Sequence, residues 1–128
     1  MKYLLDTHTF IWLDSDPDKL SAAVTSLCSD PQNQLYLSIA SVWEMQIKIQ
    51  LRKLKLPTSL AKTLEEQQTA NRLLLLPIEL THILGLAALP DHHKDPFDRL
   101  LIAQANAEKM PLISDDPQIA KYSVTVVW

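Results

Sequence analysis

"LYLSIASVWEMQIKIQL", residues 35–51, changes character after its fifth residue. Residues 35–39 are almost continuously apolar, the pattern of a strand covered on both faces. From there Ala40, Trp43, Ile47 and Leu51 recur at helical spacing with polar residues between them. A buried strand running straight into an amphipathic helix is the repeating unit of an α/β fold.

The same alternation extends in both directions. "YLL" (3–5), "LLLLPI" (73–78), "PLIS" (111–114) and "VTVV" (124–127) read as further strands. Helices are expected over about 8–13, 18–29, 40–52, 59–71, 79–88 and 97–109, the last with Phe97, Leu100, Leu101 and Ala105 at helical spacing. Strands alternating with helices imply right-handed crossovers. The expected fold class is therefore α/β: a three-layer α/β/α arrangement around a mostly parallel central sheet. Such sheets bind ligands at the carboxyl ends of their strands, beside the first turns of the helices that follow. Residues that end strands or open helices are the ones to inspect.

Composition agrees. A chain of 128 residues, 47% of them hydrophobic, fits one domain spanning 1–128 with a packed core. Gly85 is its one glycine against eight prolines, so turns fall to Pro, Asp, Asn and Ser. The net charge of −3 argues against a surface coated in positive charge. Cys28 stands alone, which excludes an intrachain disulfide and points to a reducing, cytoplasmic setting. "MKYLLD" meets an acid after three apolar residues, too early for a signal peptide. Nowhere do about 18 apolar residues run together, so no membrane association is expected.

Carboxylates collect where the fold places ligands. Asp6 ends the first strand, Glu44 lies in the first turns after the second, Asp98 opens the helix after "KDPFD", and Asp115 and Asp116 follow "LIS". Each has a structural reading as well. Ser41-x-x-Glu44 has capping-box spacing, and Asp95-Pro96 and Asp116-Pro117 look like helix caps followed by proline. Taken together, several carboxylates at one sheet edge repel one another, and such a cluster persists when a cation neutralises it. All-oxygen donors suit Mg²⁺ or Mn²⁺, which can activate water against a phosphodiester. Thr7, Ser38 and Ser114 are hydroxyls placed to orient such carboxylates, or simply to cap. His92 and His93 are adjacent and lack a nearby cysteine, which disfavours zinc. Lys48, one helical turn after Glu44, together with Arg52, His93 and Arg99, is a candidate phosphate contact. Lys94 belongs to the same basic group. Arg52, Lys53 and Lys55 read equally well as cations at a helix C-terminus. Trp12 and Trp43 are expected in the core, and Trp128 over the last strand or in a dimer contact.

"LLDTH", "SIASVWEMQIKIQLRKL", "HHKDPFDRLLIAQA" and "PLISDD" together resemble the PIN domain, and more narrowly the VapC-type toxins of prokaryotic toxin–antitoxin pairs. The resemblance runs over essentially the whole chain, with "DPFDRLLIAQA" its most distinctive part. It implies an α/β/α nuclease with an acidic Mg²⁺- or Mn²⁺-dependent site on Asp6, Glu44, Asp98 and Asp116, with Thr7 as the neighbouring hydroxyl. Asp116 rather than Asp115 matches the family's spacing after the serine, and Asp95 stays mainly a cap. The resemblance further implies RNA as substrate, a homodimer, and a small antitoxin that covers the site. Two other classes compete. A receiver-like signalling module also uses an acidic Mg²⁺ pocket, but it wants its acidic pair after the first strand and a lysine after the last. An inactive PIN-like binding domain, its acids serving only as caps, predicts no response to divalent metal.

Overall fold

The computed structural model describes residues 1–128. Five strands, β1 (Lys2–Leu5), β2 (Gln34–Ser38), β3 (Leu74–Leu76), β4 (Leu112–Ile113) and β5 (Val126–Val127), form one sheet in the order β3-β2-β1-β4-β5. Every neighbouring pair is parallel. Six α-helices accompany them: α1 (Thr7–Ser15), α2 (Ala22–Ser29), α3 (Ile39–Gln50), α4 (Leu60–Ala70), α5 (Leu80–Gly85) and α6 (Pro96–Glu108). This is the α/β/α arrangement expected from the alternation of patterns.

Two buried clusters, one on each face of the sheet, explain why the strands are continuously apolar. Leu4 and Leu112 belong to one, with Leu101, Ile102 and Tyr122. Their chain neighbours Leu5 and Ile113 belong to the other, with Phe10, Leu37 and Met45. Successive strand residues point to opposite faces, so a strand covered on both sides has no polar face to show.

Several boundaries differ from expectation. The helix expected over 18–29 is a 3₁₀ turn (Pro17–Lys19) followed by α2. Ser21 breaks it by accepting the Val24 N–H at 3.1 Å and starting a new helix. The helix expected over 79–88 is α5 plus a 3₁₀ turn (Leu86–Ala88). The apolar run 73–78 yields only three strand residues, because Pro77 has no N–H to continue a ladder. Trp43 is not a core residue. It is 59% exposed, its ring edge-on to Phe97 at 5.3 Å. Trp12 is half-buried, and Trp128 packs against it at 5.8 Å.

With so little glycine, the left-handed conformation that commonly follows a helix falls to cations: Arg52 after α3, Arg72 after α4 and Lys109 after α6 all have φ between 54° and 59°. Arg52 thus sits in a turn beyond α3 and lines a groove with Ile49, Lys55 and Leu60.

Candidate functional site

The carboxyl edge of the sheet is built by four segments. Asp6 leaves β1 as the N-cap of α1, its carboxylate 2.7 Å from the Thr9 N–H that it accepts. The Asp6 backbone N–H bonds Ile113 O at 3.1 Å, and its carboxylate also accepts from Ser114. Burial pushes the Asp6 pKa above the ordinary carboxylate value, with these hydrogen bonds pulling against it. On the far side of Ser114, its Oγ accepts the Asp116 N–H at 3.1 Å. One hydroxyl therefore links Asp6 to the segment carrying Asp116.

Ser38 ends β2 and caps α3, its Oγ accepting the Ala40 N–H at 3.0 Å. This corrects the capping-box reading of Ser41 and Glu44, because both lie inside α3 and face inward. Ser41 is 1% and Glu44 7% exposed. Glu44 Oε1 is 2.7 Å from Thr7 Oγ1, which is also 2.9 Å from Ser41 Oγ. A threonine hydroxyl has one proton, and the charged acceptor takes it. Ser41 can then donate to Thr7. The other Glu44 oxygen pairs with Lys48 Nζ at 3.1 Å. Lys48 is thus on the carboxylate's face, as the i, i+4 spacing requires.

Thr7→Val tests this bridge. The variant keeps the shape but leaves a buried carboxylate without its donor, and it should cost about 1–3 kcal/mol. A lowered urea midpoint at unchanged slope is the expected result.

Asp98 stands in the first turn of α6. Asp95 caps that helix by accepting the Phe97 and Asp98 N–H groups at 2.9 and 3.1 Å, and Pro96 occupies the first helical position. The cap explains Asp95 and Pro96 but not Asp98, whose carboxylate turns into the site. Burial first, then the charges of Asp95, Asp116 and Glu44, raise its pKa to about 6, against a hydrogen bond from His93 that lowers it. Carboxylates from α3, from α6 and from the segment after β4 therefore share one electrostatic neighbourhood. Asp6 joins them through Thr7, its neighbour in the chain, and through Ser114. Asp116 is half-buried, and its Oδ1 accepts the Gln118 N–H at 2.9 Å; it caps a turn, not a helix beginning at Pro117. Asp115 points to solvent.

The basic candidates separate. His93 Nε2 is 3.3 Å from Asp98 Oδ2. Arg99 is held inward, its Nη1 donating to Pro90 O at 2.8 Å and to the Tyr122 hydroxyl at 3.0 Å. Arg52 lines the groove beyond α3. Tyr122, 4% exposed, is the residue beside the site that pattern reading missed. A lone aromatic in "AKYSV" carries no signal that its hydroxyl reaches His93 and Arg99.

As they are placed, no three His, Cys, Asp or Glu side chains close around a single ion. The donor chemistry nevertheless fits a hydrated Mg²⁺ or Mn²⁺, which needs only one or two carboxylates directly and keeps several waters. Zinc does not fit: Cys28 lies on α2 with its thiol pushed up to about 11 by burial.

Comparisons with known proteins follow the same lines. No protein with a curated description matches the chain. Among solved structures, VapBC2 from Rickettsia felis bound to a DNA fragment from its promoter contains a chain similar at TM-score 0.75 and 17% identity, over 99% of this chain and 98% of that one. FitAcB from Neisseria gonorrhoeae is similar at TM-score 0.63 and 19% identity, over 100% and 97%. VapBC-5 from Mycobacterium tuberculosis, a member of the VapBC family of toxin–antitoxin systems, is similar at TM-score 0.59 and 17% identity, over 98% and 95%. At these identities the likeness speaks to fold. The PIN domain family model, however, matches residues 3–124, nearly the whole sequence whose acidic edge is described above, and the chain belongs to the PIN domain family.

Proposed function

We propose that the protein is a metal-dependent endoribonuclease acting as the toxin of a prokaryotic toxin–antitoxin pair, its 128 residues serving as one nuclease domain. The observation that carries this reading is the placement of carboxylates from separate segments at the carboxyl edge of one parallel sheet: Asp6 after β1, Glu44 on α3, Asp98 in the first turn of α6 and Asp116 after β4. Burial first, then Asp95, raises the Asp98 pKa, and the charges of Asp116 and Glu44, from distant parts of the sequence, add to it. A capping residue has no need of such neighbours, whereas a cation site does.

Asp6, Glu44, Asp98 and Asp116 would hold Mg²⁺ or Mn²⁺. When bound, the ion supplies Lewis-acid polarisation of the phosphodiester and a lowered pKa for attacking water. The protein's own part is positional. Thr7 fixes Glu44, Ser114 ties Asp6 to the segment carrying Asp116, and Lys48 balances the charge of Glu44. Lys48 is 36% exposed, so it can turn from Glu44 to an incoming phosphate without unfolding anything. Hydrolysis adds water's hydroxyl to phosphorus and its proton to the leaving oxygen, giving a 5′-phosphate and a 3′-hydroxyl.

An antitoxin partner is supported by the toxin–antitoxin relative of the same fold. A homodimer and a cytoplasmic setting complete the proposal. No helix is long and apolar enough to cross a membrane.

The test is cleavage of defined RNAs with Mg²⁺ or Mn²⁺, with and without EDTA, by the wild type and by Asp6→Asn. Cleavage by the wild type alone, suppressed by EDTA, is the expected result. A variant as active as the wild type would remove Asp6 from the site.

A further inference from the structure

His93 lies in the irregular segment between Pro90 and α6, where no backbone ladder fixes a side chain. Its orientation nevertheless follows from a count of protons at the Tyr122 hydroxyl. That oxygen receives the His93 backbone N–H at 3.2 Å and Arg99 Nη1 at 3.0 Å. A phenol oxygen has two acceptor sites, and both are filled. Its own proton must go outward. Two acceptors are near: His93 Nδ1 at 2.8 Å and the His93 carbonyl at 3.4 Å. The shorter contact wins. An Nδ1–H would meet an oxygen with no acceptor site left, so Nδ1 is bare and the ring proton sits on Nε2. Nε2 is the atom 3.3 Å from Asp98 Oδ2, a hydrogen bond at the long end of the range.

We propose that His93, locked by Tyr122 as the Nε2–H tautomer, is a positioning residue that holds the Asp98 carboxylate by Oδ2 and leaves Oδ1 to face the cation. The inference rests on the metal-site reading above. Without the restraint, repulsion from Asp95, Asp116 and Glu44 would favour turning Asp98 toward solvent. Tyr122 can bear the load because it is buried in the core and its hydroxyl is gripped by Arg99, whose Nη1 also holds Pro90 O. The edge-on ring of His92, 4.8 Å from Tyr122, closes the other side. An interaction passed through a second residue in this way commonly changes metal affinity by about 10- to 100-fold.

The tautomer is read directly from imidazole ¹⁵N shifts of the purified protein, and Mn²⁺ affinity from the free-ion EPR signal. The wild type should show His93 as the Nε2–H form. Tyr122→Phe, which keeps the ring, should lose that preference and bind Mn²⁺ about tenfold more weakly. His93→Ala should weaken binding as much, while His93→Gln, whose amide N–H can replace Nε2–H, should restore most of it. A purely structural role would not give that rescue. A wild-type ring bare at Nε2 overturns the proposal. So does unchanged Mn²⁺ affinity in Tyr122→Phe and His93→Ala when Asp98→Asn has lost it. If Asp98→Asn itself binds Mn²⁺ like the wild type, the metal-site reading falls, and this inference with it.

Discussion

Asp98→Asn should abolish RNA hydrolysis and, at neutral pH, raise the melting temperature. The two effects have one cause. Asp98 is held with its pKa raised to about 6 by burial and by Asp95, Asp116 and Glu44. Below the unfolded value near 3.8 the carboxyl is protonated in both states and contributes nothing. As pH rises from about 4 to about 6, the folded protein holds a proton that the unfolded chain has lost, so stability falls through that window and stays low above it. Asparagine carries no charge, yet its Oδ1 can still accept from His93. With the 19% side-chain exposure of Asp98 allowed for, the variant should gain about 1–2 kcal/mol at pH 7, a gain that fades by pH 4. Hydrolysis should fall by about 100-fold or more, beyond the loss that follows from disturbing a residue behind a ligand. Melts at both pH values, run beside a cleavage assay, check the two halves separately. Unchanged cleavage would remove Asp98 from the chemistry, and a lower melting temperature at pH 7 would contradict the crowding of charge around it. A group that costs stability where it stands and is needed for activity is the usual signature of a functional site.

How much of this was legible beforehand depended on whether a signal was local. The sheet was legible because a strand buried on both faces must be apolar at every position, as Leu4 and Leu5 are. The placement of the candidate acids was legible because Asp6 and Asp116 follow strands and Glu44 and Asp98 lie in the early turns of helices. Distance was not. Nothing in the spacing of Ser38 and Ser41 says which of them caps α3, since both offer a hydroxyl at the right end; the register of β2 decides, by ending the strand at Ser38. Trp43 shares its helical stripe with core residues, yet it falls where α3 meets only the start of α6, so Phe97 covers one edge and solvent the rest. Tyr122 was invisible for a related reason. Its role is set by two donors more than twenty residues away, and local periodicity carries no trace of them.

Phe10→Ala should be the most destabilising substitution outside the site, and it should damage the site as well. Phe10 is fully buried and among the largest fully buried side chains. Truncating a ring there removes its burial and leaves a cavity, at a cost of about 3–5 kcal/mol. A domain of ordinary stability has about 5–15 kcal/mol in total, so the variant should lose a large share of it. Its neighbours in the cluster make the loss functional. Leu5 precedes Asp6, Leu37 precedes Ser38, Met45 follows Glu44 and Ile113 precedes Ser114. Asp6, Ser38, Glu44 and Ser114 are thus each one residue along the chain from a side chain in this packing. Phe10 also begins the hydrogen-bond ladder of α1, its N–H on Asp6 O at 3.1 Å. Urea unfolding should show a large drop in midpoint with little change in slope. Phe10→Leu, which fills most of the space, should recover most of the stability and the cleavage rate. If Phe10→Ala cost less than about 1 kcal/mol, the surroundings would have collapsed into the gap. The acidic edge would then be held by its own hydrogen bonds, through Thr7 and Ser114, rather than by the core beneath it.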